Sequence, residues 1–246
     1  MTVAVLFDLE DTLVKTPWSD CRHVIEFRHQ TRATLVELGI PPIVLEGTER
    51  ATIMRNTAEK YAEQKFSQER LRKFREKMEM FLSGYELDSA AKSTVFPDTV
   101  SALKQLRAQC VKMAVVTNTS AKAATIMLQQ HKLRAYFDPI ITRENVKQLK
   151  PNPEGILLAA CALKVTKCFM VGDLVLDVIA AKNAGAVSIV VNREQDSIEA
   201  NLKGLQAADF HEAKRYMEEK KSPQADYVVS SLIEIPPLIA AEQRKT

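Results

Sequence analysis

Two carboxylates stand two positions apart at the end of an apolar run: VAVLF, residues 3 to 7, is followed at once by Asp8, Leu9, Glu10, Asp11 and Thr12. A strand ending this way presents Asp8 and Glu10 just past its C-terminal end, the edge at which open α/β sheets bind ligands. Taken alone, the same letters also describe a strand followed by an acidic turn that caps a helix. Three later segments add to it. Val115 and Val116 lead into Thr117 and Asn118, a hydroxyl at the end of another buried run, although many strands end in Thr. Lys150, Pro151, Asn152 and Pro153 set a lysine before a rigid turn and a helix start, where its ammonium is either held near an anion or solvated. VGDLVLD, residues 171 to 177, places Asp173 just past a strand and Asp177 one helical turn further on; acids in a first turn are also ordinary helix electrostatics. Each segment has a plain structural explanation, but all four in this order are hard to dismiss.

These residues need a sheet behind them, and the hydrophobic pattern supplies one. Continuous apolar runs at 3–7, 113–117, 168–171, 187–191 and 227–229 read as strands buried on both faces, and helical patterns between them predict a doubly wound parallel α/β sheet. Pro97 opens Val100, Leu103 and Leu106 at helical spacing, Pro153 opens Ile156, Leu157 and Ala160, and Gly185 closes 178–184. Residues 15–93 differ. Three charged helical patterns, near 19–38, 47–65 and 68–83, come without a convincing strand, and Pro41 and Pro42 separate the first two. Residues 89–93 read as the linker back to the sheet. A second charged stretch, 194–221, reads as one or two amphipathic crossover helices, with a partner-docking surface as the alternative.

The chain has 246 residues, 46% of them hydrophobic and 26% charged, and 34 basic against 31 acidic side chains leave a formal charge of +3. That is an ordinary globular balance, too mildly basic to imply nucleic acid. Cysteines 21, 110, 161 and 168 show no C-x-x-C or zinc spacing and read as buried thiols in a reducing cell. The first apolar run is too short for a signal peptide or membrane span. A cytoplasmic protein without membrane or nucleic-acid partners is expected.

On these motifs the chain resembles the haloacid dehalogenase-like hydrolase superfamily, specifically its phosphatases with a small helical cap after the first motif, phosphoglycolate phosphatase-like proteins among them. The resemblance covers nearly the whole length. Members carry D-x-D-x-T, a Thr or Ser ending a second strand, a Lys often in K-P-x-P, and G-D-x-x-x-D. Here these are Asp8 to Thr12, Thr117, Lys150 to Pro153, and Gly172 to Asp177, and the stretches 95–106 and 225–235 are similar as well. The resemblance implies a Rossmann-like catalytic core of residues 1–14 and 94–246, with 15–93 as a cap that sets substrate specificity and hinges near 14–16 and 93–96.

It also implies a Mg²⁺-dependent phosphomonoesterase acting on a small phosphorylated metabolite, as monomer or homodimer. Asp8 would be the nucleophile, forming an aspartyl-phosphate, and Glu10 the acid/base. The metal would rest on Asp8, the Glu10 backbone carbonyl and Asp173, with Asp177 supporting that shell or Lys150. Thr117, the Asn118 amide and Lys150 would bind the phosphate. Charge explains the set: a phosphate monoester is largely a dianion, and a carboxylate approaching it must be offset by a lysine and by Mg²⁺, or by Mn²⁺ on the same oxygens. Glu10 departs from the usual Asp, and one methylene moves its carboxylate by roughly 1.5 Å. Enolase-phosphatases of the superfamily share a Glu there, whereas its dehalogenases usually carry an aromatic residue and its phosphonate hydrolases a small one, so a phosphatase is favoured. A phosphomutase of the β-phosphoglucomutase type keeps the same residues, and a silent relative that only binds is the alternative from another class.

Within the cap, Trp18, Arg22, His23 and Arg28 are candidates to meet a second anionic group of the substrate. Arg70, Arg72, Lys73, Arg75 and Lys77, interleaved with Glu69, Glu76 and Glu79, read as a solvated, ion-paired face. Phe74, Met78, Met80 and Phe81 read as cap core, and the four histidines, 23, 29, 131 and 211, as incidental.

Overall fold

The computed structural model describes residues 3–17, 20–48, 50–193 and 225–244, so the expectations for Trp18, His211 and the stretch 194–221 lie outside the described residues. In chain order the strands are β1 (Val3–Phe7), β2 (Val14–Lys15), β3 (Thr94–Val95), β4 (Lys112–Val116), β5 (Ile140–Ile141), β6 (Lys167–Gly172), β7 (Val187–Val191) and β8 (Tyr227–Val229). Six of them form one sheet, ordered β5-β4-β1-β6-β7-β8, with every pairing parallel. The two-residue edge strand β5 escapes the sequence reading because two residues carry no measurable period.

Alternation along each strand sorts side chains to the two faces. Val3, Val5 and Phe7 of β1 join Phe169 and Val171 of β6 under α4 (Thr99–Ala108), α5 (Ala121–Gln130) and α8 (Ile235–Arg244). Ala4 and Leu6, with Ala114, Val116 and Met170, meet α6 (Glu154–Leu163) and α7 (Val175–Asn183) on the other face. The first face holds Phe7 and Phe137 edge to face, with ring centroids 6.0 Å apart. Each such fully buried large side chain contributes about 1.5–3 kcal/mol.

Residues 21–92 form three helices, α1 (Cys21–Glu37), α2 (Ala51–Lys65) and α3 (Gln68–Lys92), with an apolar cluster of their own that includes Leu35, Leu45, Met54, Phe74, Met78 and Leu82. Both connections to the sheet run through the antiparallel pair β2 and β3. Three sequence expectations are corrected here. α3 continues to Lys92 instead of giving way to a linker at 89, because Glu86, Ser89 and Ala90 are buried and no Pro breaks the helix. Met80 is 76% exposed and outside the cluster that Phe74 and Met78 build. Cys110 and Cys161 are exposed, and Cys168 alone of the three free thiols described is buried.

Candidate active site

The chain leaves β1 on one side toward β4 and β5 and returns on the other to β6, so the C-terminal ends of β1, β4 and β6 flank the switch in strand order. Asp8, Thr117 and Asp173 are the first residues past those three ends. Asp8 extends the ladder by one bond, its amide donating to the Val171 carbonyl at 2.8 Å, and the Thr117 amide does the same to Ile141 at 3.0 Å. The backbone therefore fixes where these side chains begin.

Lys150 crosses from its turn into their midst. Its Nζ donates to Asp8 Oδ1 at 2.7 Å, to Asp177 Oδ1 at 2.6 Å and to the Val116 carbonyl at 3.0 Å, using all three ammonium hydrogens. Asp177 Oδ2 accepts from the Leu174 amide at 3.1 Å, which orients the carboxylate. Gly172 makes that approach possible: a Cβ there would lie 2.2 Å from the Asp177 carboxyl group. Asn118 brackets the lysine's own backbone, accepting from Lys150 N at 2.9 Å and donating to Lys150 O at 3.3 Å.

Asp8, Asp173, Asp177 and Lys150 are all less than a tenth exposed. Burial pushes the Asp8 carboxyl up to about 7; Lys150 pulls it down, and Asp177 and Asp173 push it further up. Burial would lower the Lys150 ammonium, but Asp177 and Asp8 outweigh it and hold the group cationic. Three carboxylates facing one ammonium leave an excess of negative charge in a dry place. One oxygen each from Asp8, Asp173 and Asp177 lies within 4.8 Å of the others, an all-oxygen donor set that fits a hard divalent cation. The Glu10 carboxylate is not in that group: it is half-buried and accepts from Ser89 Oγ of α3 at 3.2 Å. Next to it Asp11 takes a left-handed backbone, φ 55°, and its side chain accepts from the Thr16 amide at 2.9 Å, closing the turn that carries Glu10.

A cavity of about 190 Å³ opens over this edge. Asp8, Glu10, Thr117, Asn118, Lys150, Asp173 and Asp177 line it from the sheet side, so the structure brings together every site residue expected from the motifs. Val24, Phe27, Arg28, Arg55 and Leu82 line it from the helices, and Arg50 from the residue before α2. Of the cap candidates Arg28 is there and buried, whereas Arg22 is exposed beside Asp20 and His23 packs against the Tyr85 ring.

Arg50, Arg55 and Arg143 at the cavity were missed, as were the partners of Arg143. Buried Arg143 donates to Glu86 Oε1 through Nη1, and to Glu79 through Nη2 at 2.8 Å and Nε at 3.1 Å. Glu86 Oε2 accepts the Ser120 amide at 3.1 Å. Glu79, expected on a solvated face, keeps 46% of its side chain exposed but also ties α3 to the turn after β5 that carries Arg143; its seven-residue spacing from Glu86 was the available signal. Arg72–Glu76 and Lys73–Glu69 are surface pairs, more than half exposed, whereas Arg75 reaches across to buried Glu59 of α2 at 2.5 Å.

The family model described as haloacid dehalogenase-like hydrolase matches residues 5–191, and a second hydrolase model of that type matches 149–235. The chain is 33% identical over 112 residues to a phosphoglycolate phosphatase of Vibrio vulnificus strain CMCP6, covering 45% of this chain and 49% of that protein. It is 29% identical over 190 residues to phosphoglycolate phosphatase 1 of Pseudomonas aeruginosa PAO1, covering 74% of this chain and 66% of that one. The chain thus spans about half the length of the first of these curated relatives. A crystal structure of a HAD phosphatase from Thermococcus onnurineus shares the fold, with a TM-score of 0.53, 24% identity, and 97% and 98% of the two chains covered.

Proposed function

The chain belongs to the haloacid dehalogenase-like hydrolase family, and on that premise we propose that it is a Mg²⁺-dependent phosphomonoesterase of a small phosphorylated metabolite, with phosphoglycolate or a similar short acid as first candidate. The observation that carries the reading is the Lys150 ammonium at 2.7 Å from Asp8 and 2.6 Å from Asp177, with Asp173 beside them at the edge of the sheet. Such a site gathers negative charge for a cation and sets one positive charge where a phosphate dianion must arrive. The names of the Vibrio and Pseudomonas relatives support the choice of substrate class.

Asp8, Asp173 and the Glu10 carbonyl would hold the metal, with Asp177 completing or steadying that shell. Bound there, Mg²⁺ would supply Lewis-acid charge to a phosphate oxygen. Thr117 and the Asn118 backbone amide hold the phosphate against Asp8, and the Lys150 ammonium offsets its charge, trading its bond to the Val116 carbonyl for a phosphate oxygen as the dianion arrives. Asp8 attacks phosphorus, and the bond to the leaving oxygen breaks as Glu10 gives that oxygen its proton; the phosphoryl group then rests on Asp8. Glu10 next takes a proton from water, the water oxygen attacks phosphorus, and inorganic phosphate departs, restoring the Asp8 carboxylate. Residues 15–93 serve as the lid, with β2 and β3 as its hinge, and the leaving group meets Arg28 and the apolar wall of Val24, Phe27 and Leu82.

Phosphate release from a panel of phosphomonoesters, with Mg²⁺ and with EDTA, tests the reading. Release should need the metal, vanish in Asp8→Asn, and fall by about 10²–10⁴-fold in Glu10→Gln. A folded, Mg²⁺-binding wild type that releases phosphate from no ester would sink it, and bisphosphate-activated isomerisation of a sugar phosphate by that same protein would replace it with a mutase.

A further inference from the structure

Two side chains of the helical unit reach down to the sheet edge at the two groups whose placement the proposed reaction needs most. Asn56 of α2 donates from Nδ2 to the Leu149 carbonyl at 3.2 Å and accepts the Leu149 amide on Oδ1 at 3.3 Å, across 93 positions of chain. Asn118 treats Lys150 in the same way, so two side-chain amides grip both backbone groups of two consecutive residues. One grip comes from the sheet side and the other from the helices. Ser89 of α3, fully buried, donates to Glu10 Oε1 at 3.2 Å across 79 positions. Glutamate has one more rotatable bond than aspartate, and that freedom must be frozen before its carboxyl can meet a leaving oxygen.

We propose that Asn56 and Ser89 are positioning residues for the reaction proposed above: Asn56 fixes the turn that carries Lys150, and Ser89 fixes the Glu10 carboxyl. The proposal rests on the phosphatase reading for its kinetic consequences. The two act through different groups, and the kinetics separate them. Lys150 offsets phosphate charge whatever the leaving group, whereas proton donation by Glu10 matters for an alkoxide and little for 4-nitrophenolate, which departs as a stable anion.

The test compares Asn56→Ala, Asn56→Asp, Ser89→Ala and Ser89→Thr in the full chain with Mg²⁺. The substrates are 4-nitrophenyl phosphate and the best alkyl phosphate of the panel, and the readouts are kcat and kcat/KM. Ser89→Ala should lose about tenfold in kcat/KM on the alkyl ester and little on the aryl ester, with Ser89→Thr restoring the loss. Asn56→Ala should lose about tenfold in kcat on both esters, and Asn56→Asp, which keeps the volume and the acceptor but sets a carboxylate oxygen against the Leu149 carbonyl, should lose at least as much. Equal losses on both esters in Ser89→Ala, or none, would overturn the role of Ser89. Hydrogen exchange at the Leu149 amide supplies a readout apart from turnover: it should quicken in Asn56→Ala while the Leu71 and Phe74 amides of α3 stay protected. Unchanged kcat with unchanged exchange would overturn the role of Asn56. If wild type hydrolyses no ester, the phosphatase reading fails and takes the role of Ser89 with it, whereas the grip of Asn56 on the lysine turn is still decided by exchange.

Discussion

Asp8 and Asp98 both sit near the C-terminal end of the sheet, and their surroundings drive them in opposite directions. At Asp8 burial wins, and the carboxyl is pushed up to about 7. At Asp98 burial also pushes upward, but hydrogen bonds from Arg193, Ser231 and the Leu232 amide outweigh it and hold the group below the usual carboxylate range. Arg193 pairs with both Asp98 oxygens at 3.1 and 3.0 Å and donates to the Thr12 carbonyl at 3.1 Å, so Asp98 indirectly supports the turn after β1. A carboxyl whose pKa is depressed on folding stabilises above its unfolded value, and the benefit is lost as pH falls through the folded value. Asp98→Asn should therefore cost about 2 kcal/mol near neutral pH. The gap from wild type should narrow as pH falls below 3.8, read by urea denaturation across a pH series. A gap that stays constant down the acid range would refute the charge argument. Asp8 and Asp173 could be found from sequence because a carboxylate directly after an apolar run is a local event. The bonds of Asp98 could not, because they join it to positions 193 and 231.

At the scale of elements, α3 is where sequence and structure differ most. Its first half behaves as an ordinary amphipathic helix, capped by Ser67 and packed through Leu71, Phe74 and Met78. Its second half turns polar side chains inward: Glu79 and Glu86 to Arg143, Ser89 to Glu10. A pattern with inward acids reads as a solvated face or a linker unless the partner cation is known. The energetic consequence is testable, because removing one member of a buried pair strands the other. Arg143→Met should cost about 3–5 kcal/mol in urea denaturation, and adding Glu86→Leu to it should recover much of the loss. If the double variant proves as unstable as the single, the penalty comes from packing around the Arg143 stem and not from the orphaned carboxylate.

For the whole molecule, the deciding quantity is the charge at the sheet edge. Three buried carboxylates and one ammonium favour any divalent cation that binds the folded chain and not the unfolded one. Mg²⁺ at a hundred times its Kd should then stabilise the wild type by about 2.7 kcal/mol, visible as a rise in Tm, and Asp173→Asn should show no such rise. An equal rise in both proteins would place the cation elsewhere. Among the described residues no helix is long and apolar enough to cross a membrane. Five of the six strands of the parallel sheet and the four short motifs were legible in the sequence alone, because hydrophobic period, Pro and Gly positions and carboxylates at strand ends act over a few residues. Tertiary structure alone set Lys150 on Asp8 across 142 positions, Arg143 on Glu86 across 57, and Asn56 and Ser89 on the sheet edge. The first depends on how the sheet strands and the turn before α6 pack together, the others on how the helices of 21–92 come to rest over the sheet, and no local preference of the chain encodes either.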